Sequence, residues 1–154
     1  INCCLTRHWG NYKHNNDKLK TTLTDQLCKK GDILAMISNI SGVIIWTENL
    51  PLLTKFYTET MGFTPRSIRL NFINFEWGTM RFSIGLHTSI TGQNQDSHRI
   101  MINFNVEDIH LVYDVLSKRG VTFIRAPEQE HWGGWVSTLM DPDRNIIQLL
   151  QQPS

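Results

Sequence analysis

Six histidines, three cysteines and an Asp-Pro-Asp run are the side chains of this sequence with chemical capacity, and their spacing limits what they can do. His8, His14, His87, His98, His110 and His131 include no pair at i, i+2 or i, i+4. Those spacings put two imidazoles on one face around a metal or a shared proton. His98 and His131 fall in loops, and His110 falls in the first turn of a helix. His87 shares strand parity with Arg81, Ser83 and Gly85, and reads first as a strand-end surface residue. Cys3, Cys4 and Cys28 all precede residue 29, and adjacent Cys3 and Cys4 are poorly placed to pair with each other. There is no Gly-x-Ser-x-Gly elbow, no phosphate loop and no later cysteine to act as a nucleophile. Asp141 and Asp143 resemble a catalytic carboxylate pair, but flanking Pro142 they are better explained as a turn.

The elements that must position these residues form a concealed repeat. Val43 to Leu50 is a β-rich run that ends in an acidic corner, Glu48-Asn49-Leu50. Fifty-nine residues later Ile102 to Ile109 repeats the design and ends in Glu107-Asp108-Ile109. Asn49 can cap a helix running to about Met61, with Pro51 in the first turn where its missing N–H is harmless. Asp108 can cap a helix with Ile109, Val112, Val115 and Leu116 on one face, closed by Gly120. Short β-type runs follow each helix: Asn71 to Phe75 and Met80 to Leu86 around a Gly78-Thr79 hairpin signal, then Val121 to Arg125, Trp135 to Met140 and Asn145 to Leu150. Each half reads β–α–β–β–β, so the expected class is α+β with two half-sheets side by side.

From about residue 37 to 152 the chain resembles the vicinal oxygen chelate superfamily, the glyoxalase / bleomycin-resistance / extradiol-dioxygenase fold. The resemblance rests on Phe56-Tyr57 with Met61-Gly62-Phe63, on Leu116 to Val121, on Trp132-Gly133-Gly134, and on Asp141-Pro142-Asp143-Arg144-Asn145-Ile146-Ile147-Gln148-Leu149. Arg144 stands where the family usually has Gly. The implied fold is two βαβββ modules (about 37–95 and 99–152) that form a curved half-barrel sheet with helices on its convex side. Metal-dependent members place His, Glu or Gln at four positions on the concave faces. Here those positions become Gly42, Ser83 or Gly85, Met101 and Gln148. Glycine offers no ligand, a thioether is soft, and one neutral amide holds a hard divalent ion weakly, so no metal or cofactor is expected. With Gly42 facing the cavity, alternation brings Ile44 and Trp46 to the same face. With Met101 facing it, so do Asn103 and Asn105, two amides on an otherwise β-branched and aromatic strand. The expected ligand-binding set is Trp46, Arg81, Ser83, His87, Met101, Asn103, Asn105, Trp132, Trp135 and Gln148. In it, Trp132 and Trp135 flank a flexible hinge at the cavity mouth and Arg81 supplies the positive group. This is the composition of a small-molecule pocket.

Composition supports one domain with an appendage. Of 154 residues, 40% are hydrophobic and 19% charged, enough to build a core and too much for a disordered chain. Residues 1–32 carry six basic side chains against three acidic, a net of +3; the nine basic and eleven acidic that follow give −2, and together they make the +1 of the chain. Residues 1–33 are expected to form a basic extension with one short helix, Leu19 to Cys28, stopped by Lys29-Lys30-Gly31. A near-neutral chain with scattered bases is not expected to bind nucleic acid, and no apolar run approaches membrane-helix length. The early cysteines and the lack of a targeting segment point to a reducing cytoplasm. Three function classes follow. The first is a metal-free small-molecule-binding protein, similar to antibiotic-sequestering relatives and homodimeric with its cleft at or near the subunit interface. The second is a divergent metal-dependent lyase, isomerase or dioxygenase, and the third a protein-interaction module.

Overall fold

A computed structural model describes residues 39–153, and those from Ser41 onward belong to one compact unit. The expected extension and its helix Leu19 to Cys28 lie outside the described residues. Among the described residues, eight strands form two four-stranded sheets of the same order: β1-β4-β3-β2 and β5-β8-β7-β6. The first comprises β1 (Gly42–Thr47), β2 (Ser67–Arg69), β3 (Phe72–Trp77) and β4 (Met80–Leu86). The second comprises β5 (Met101–Asn105), β6 (Phe123–Gln129), β7 (Trp135–Met140) and β8 (Ile146–Gln151). In each sheet the first strand pairs parallel with the last, and the others pair antiparallel. The βαβββ repeat is therefore present in both modules.

Both acidic corners cap as their chemistry dictates. Asn49 Oδ1 accepts the Leu52 N–H at 3.2 Å and opens α1 (Leu50–Lys55). Asp108 Oδ1 accepts the Leu111 N–H at 3.0 Å and opens α2 (Ile109–Lys118). Gly120, at φ +83°, closes α2 in the left-handed conformation. The first helix does reach the neighbourhood of Met61, but Phe56–Thr60 is π-helical, with the Met61 N–H on the Phe56 carbonyl at 2.8 Å. Strand β6 begins later than the residues suggested and runs on to Gln129 through Pro127. Its pairing with β7 shifts register on either side of Arg125, and an edge strand with such irregularities tolerates a proline.

One core serves both modules. Leu53, Tyr57, Phe75 and Ile84 of the first and Ile109, Leu139, Ile147 and Leu149 of the second belong to the same buried cluster. Phe104 of β5 meets Phe63 at 5.0 Å and Phe82 at 5.5 Å between ring centroids. A polar tie crosses the same seam. The Tyr57 hydroxyl donates to Asp141 Oδ2 at 2.9 Å in a buried site. Asp141 also accepts the Asp143 and Asn145 backbone N–H groups (3.0 and 2.8 Å) and the Asn145 side-chain amide (2.9 Å), so it builds the Asp-Pro-Asp turn. Arg144 in this turn has φ +64°, the one non-glycine residue with positive φ among those described. The turn keeps the conformation that suits the family's glycine and imposes it on a side chain. Arg144→Gly is expected to stabilise the fold by about 0.5–1 kcal/mol, less than the full left-handed penalty because glycine also loosens the unfolded chain. A urea midpoint that falls in the variant would contradict this.

Candidate functional site

Strand alternation turns one face of the first module's sheet away from the core and toward solvent. On β1 Ile45 and Thr47 are buried, while Ile44 and Trp46 remain 49% and 40% exposed. The parallel register sets Gly42, Ile44 and Trp46 beside Arg81, Ser83 and Gly85. The β3–β4 hairpin adds Glu76, Asn74 and Phe72, opposite the same three residues. Gly85 is the floor of this face, because a Cβ there would lie 2.6 Å from both the Trp46 and Phe72 rings. Those rings sit 5.7 Å apart, and His87 edges Trp46 at 5.2 Å while its Nδ1 accepts the Ser89 N–H. A polar ladder crosses the sheet next to them. Ser83 Oγ donates to Asn74 Oδ1 at 2.8 Å, and Asn74 Nδ2 donates to Ser67 Oγ at 2.9 Å. Ile44, Phe72, Asn74, Arg81 and Ser83 border a hollow of about 220 Å³. Trp46 borders a second hollow of about 390 Å³, with residues 89–94 and the Asp141 turn.

Trp46, Arg81, Ser83 and His87 thus share one face, as alternation predicts. Phe72 and Asn74 were not among the expected site residues. The two-residue turn at Gly78-Thr79, with Trp77 opposite Met80, is the signal that could have found them.

In the second module Met101, Asn103 and Asn105 are exposed, while Ile102 and Phe104 pack inward. Gln148 pairs with Asn103 across β5–β8, and its Nε2 lies 3.4 Å from Thr138 Oγ1. Asn105 Oδ1 takes the Gln152 amide at 3.4 Å. Trp132 covers Gly134 so closely that a Cβ on Gly134 would fall within the indole ring. Two expectations need correction here. Residues 130–134 do not form an open hinge: the Gly133 N–H bonds the Glu130 carbonyl and the Glu130 N–H bonds the Gly134 carbonyl, both at 2.8 Å. Trp135 does not face the cleft either. It pairs with Gln151, whose side chain reaches the Ile109 N–H on the helix side, and it packs against His110 of α2 at 4.8 Å. The two modules' polar faces are not brought onto one another by the contacts above, which join the modules through their helix sides.

The register decides between Ser83 and Gly85 at the position that the family resemblance implies for a metal ligand. Ser83 lies beside Ile44 as Gln148 lies beside Asn103, so Ser83 is the counterpart of Gln148; Gly85 corresponds to Leu150. The set is Gly42, Ser83, Met101 and Gln148. A side chain at Gly42 would bring its Cβ within 2.5 Å of the Arg81 carbonyl oxygen, so the backbone itself closes that position to a ligand. The Ser83 hydroxyl is committed to Asn74. No group of three or more His, Cys, Asp or Glu is placed to hold an ion among the described residues. The family's divalent metal does not fit these side chains.

Burial pushes the Asp141 carboxyl above the usual carboxylate range, against the opposing pull of its Asn145 and Tyr57 hydrogen bonds. Burial, then the neighbouring Asp141 charge, also raises the Tyr57 phenol, which stays neutral as a donor. This pair lies in the core seam, not on the solvent-turned face of the sheet, so its role is structural.

Residues 39–149 match the family model described as "Glyoxalase/Bleomycin resistance protein/Dioxygenase superfamily". The chain is 24% identical over 119 residues to the uncharacterized protein YetH of Bacillus subtilis, covering 74% of this chain and 98% of the relative. Among solved structures, a glyoxalase/bleomycin resistance protein/dioxygenase from Nocardioides superposes with a TM-score of 0.67 at 17% identity, covering 85% of this chain and 94% of that one. A superfamily member from Sphaerobacter thermophilus gives 0.61 at 23% identity, covering 76% and 99%. These structural likenesses speak for the fold alone. With the repeat, the paired sheets and the family match over most of its length, the chain belongs to the glyoxalase/bleomycin resistance protein/dioxygenase superfamily.

Proposed function

We propose that this protein binds a small aromatic or amphipathic molecule without a metal and without catalysing its conversion, as a sequestering protein does. The observation that carries this reading is the half-exposed Trp46–Phe72 pair held over Gly85, beside a hollow edged by Arg81, Asn74 and Ser83. Flat apolar surface with a few fixed polar groups is how small-molecule sites gain both affinity and orientation. Sequestration of a toxic compound such as an antibiotic is the biological use such a site would serve. A cytoplasmic setting suits a domain without cysteine after residue 28.

A second copy of the chain is the proposed partner. Ile44, Trp46 and Met101 are 40–49% exposed on faces that point away from the shared core, and apolar surface of this kind is commonly covered on association. A homodimer would set a first-module face of one chain against a second-module face of the other. No helix among the described residues is long and apolar enough to cross a membrane.

The reading is tested by thermal shift and binding together. Zinc, manganese and iron(II) are expected to leave the melting temperature of untagged protein unchanged, while members of an aromatic compound panel raise it. A stoichiometric divalent ion bound at Gln148 would overturn the proposal in favour of a metal-dependent enzyme. Trp46→Ala is expected to weaken the best panel compound by roughly 1–3 kcal/mol. Unchanged affinity would place the binding surface elsewhere.

A further inference from the structure

Within the reading above, the polar end of the site is unusually specific about charge. Arg81 lies on β4 next to Gly42 of β1, on the solvent-turned face. Its backbone N–H is held by the Ser41 carbonyl at 3.1 Å. Gly42 puts no side chain between β1 and Arg81, whose carbonyl oxygen and Cβ would lie 2.5 and 3.0 Å from any Cβ added there. Directly across the hairpin from Arg81 stands Glu76, the natural partner for its charge. Yet Glu76 binds Arg66 instead, and among the described residues Arg81 makes no ion pair. The remaining polar side chains of the lining are neutral, and two of them are engaged: Ser83 donates to Asn74, and Asn74 to Ser67. The hollow is therefore bordered by an arginine that, among the described residues, is paired with no carboxylate.

We propose that Arg81 anchors an oxyanion, so that the ligand of this site is an aromatic anion with its charged end at Arg81 and its ring over Trp46 and Phe72. The argument rests on the proposed binding function and adds the ligand's charge and direction to it. The cation stands beside Gly42, where the backbone leaves no room for a competing side chain. A planar fork of N–H donors suits a carboxylate or a phosphate, which it binds through two parallel hydrogen bonds. Four residues of strand separate Arg81 from Gly85, about 13 Å at the usual rise per residue. The ligand that spans this distance is elongated, with its ring several bonds from its charge.

Three matched probes test this: para-biphenylcarboxylate, para-biphenylcarboxamide and para-biphenylyl phosphate, titrated against the full chain by calorimetry. The carboxylate is expected to bind about tenfold or more tighter than the carboxamide, with the preference declining as salt is raised. The phosphate arm decides which oxyanion the fork prefers. Arg81→Gln should abolish the preference, bringing the carboxylate to the same affinity as the carboxamide, and Arg81→Lys should retain part of it. Equal affinity of carboxylate and carboxamide in the natural protein, or a preference that survives Arg81→Gln, overturns the anion assignment. Trp46→Ala weakening both probes alike would then show that the aromatic reading stands without it. Binding of no probe at millimolar concentration sinks the aromatic reading and this inference together.

Discussion

Asp141→Ala is expected to destabilise the domain by about 3 kcal/mol or more and to lower its melting temperature by roughly 10 °C. Four donors converge on this one buried carboxylate: two backbone N–H groups, the Asn145 amide and the Tyr57 hydroxyl. Removing it strands them in a site where the residue is only 4% exposed. The damage spreads, because the same turn holds the linker between the modules: the Asn94 N–H binds the Asp143 carbonyl at 2.8 Å and Gln93 binds the Pro142 carbonyl. Tyr57→Phe removes a single donor and should cost about 1–2 kcal/mol. The two substitutions also differ in pH dependence. Burial raises the folded-state pKa of Asp141 above its unfolded value, so the folded protein keeps the proton longer. Stability from this group is therefore greatest below the unfolded pKa and falls as pH rises toward the folded pKa. Tyr57→Phe takes away a hydrogen bond that favours the ionised form, so it should extend that decline to higher pH. Asp141→Ala should abolish it. Urea unfolding across mildly acid to neutral pH measures both; a decline unchanged in Asp141→Ala would assign the pH dependence to another group.

The sequence disclosed what depends on local chemistry and period, and hid what depends on pairing between distant strands. Asn49 and Asp108 cap their helices because a short side-chain oxygen three residues ahead of a free N–H acts within a single turn. The exposure of Ile44, Trp46, Met101, Asn103 and Asn105 follows from strand period two and needs no partner strand to be read. Trp135 went to the wrong face because it was grouped with Trp132 by proximity in sequence, whereas a strand reverses direction at every residue. Choosing between Ser83 and Gly85 required the parallel register of β1 with β4, a pairing across some forty residues that no local pattern encodes. Phe72 and Asn74 were within reach. Once Gly78-Thr79 is accepted as a two-residue turn, Asn74 must face Ser83 and Phe72 must face Gly85. The departure at Arg144 was visible, but its positive φ only the folded turn reveals.

Gly85→Val is expected to do the opposite of Asp141→Ala, lowering probe affinity at least about tenfold while changing stability by no more than roughly 1–2 kcal/mol. Gly85 occupies the middle of β4 between β1 and β3, and a side chain there meets the outer atoms of Trp46 and Phe72, not backbone. Trp46 is 40% exposed and Phe72 is only partly buried, so both rings can turn toward solvent and relieve the overlap. The fold keeps its core, and valine suits a strand. The aromatic pair, however, loses the floor that sets its spacing. The internal repeat explains why the glycine is here. At the matching place in the second module Leu150 stands beside Asn105, a large residue next to a small amide, and the first module reverses the sizes with Gly85 beside Trp46. Gly85 is then a consequence of Trp46, and the two substitutions should be coupled. With Trp46→Ala already in place, adding Gly85→Val should weaken binding of para-biphenylcarboxylate much less than it does alone, a difference that a double-mutant cycle reads directly. Additive losses would mean that Gly85 and Trp46 act at separate places on the sheet. Full affinity in Gly85→Val would mean that the ligand does not use this face.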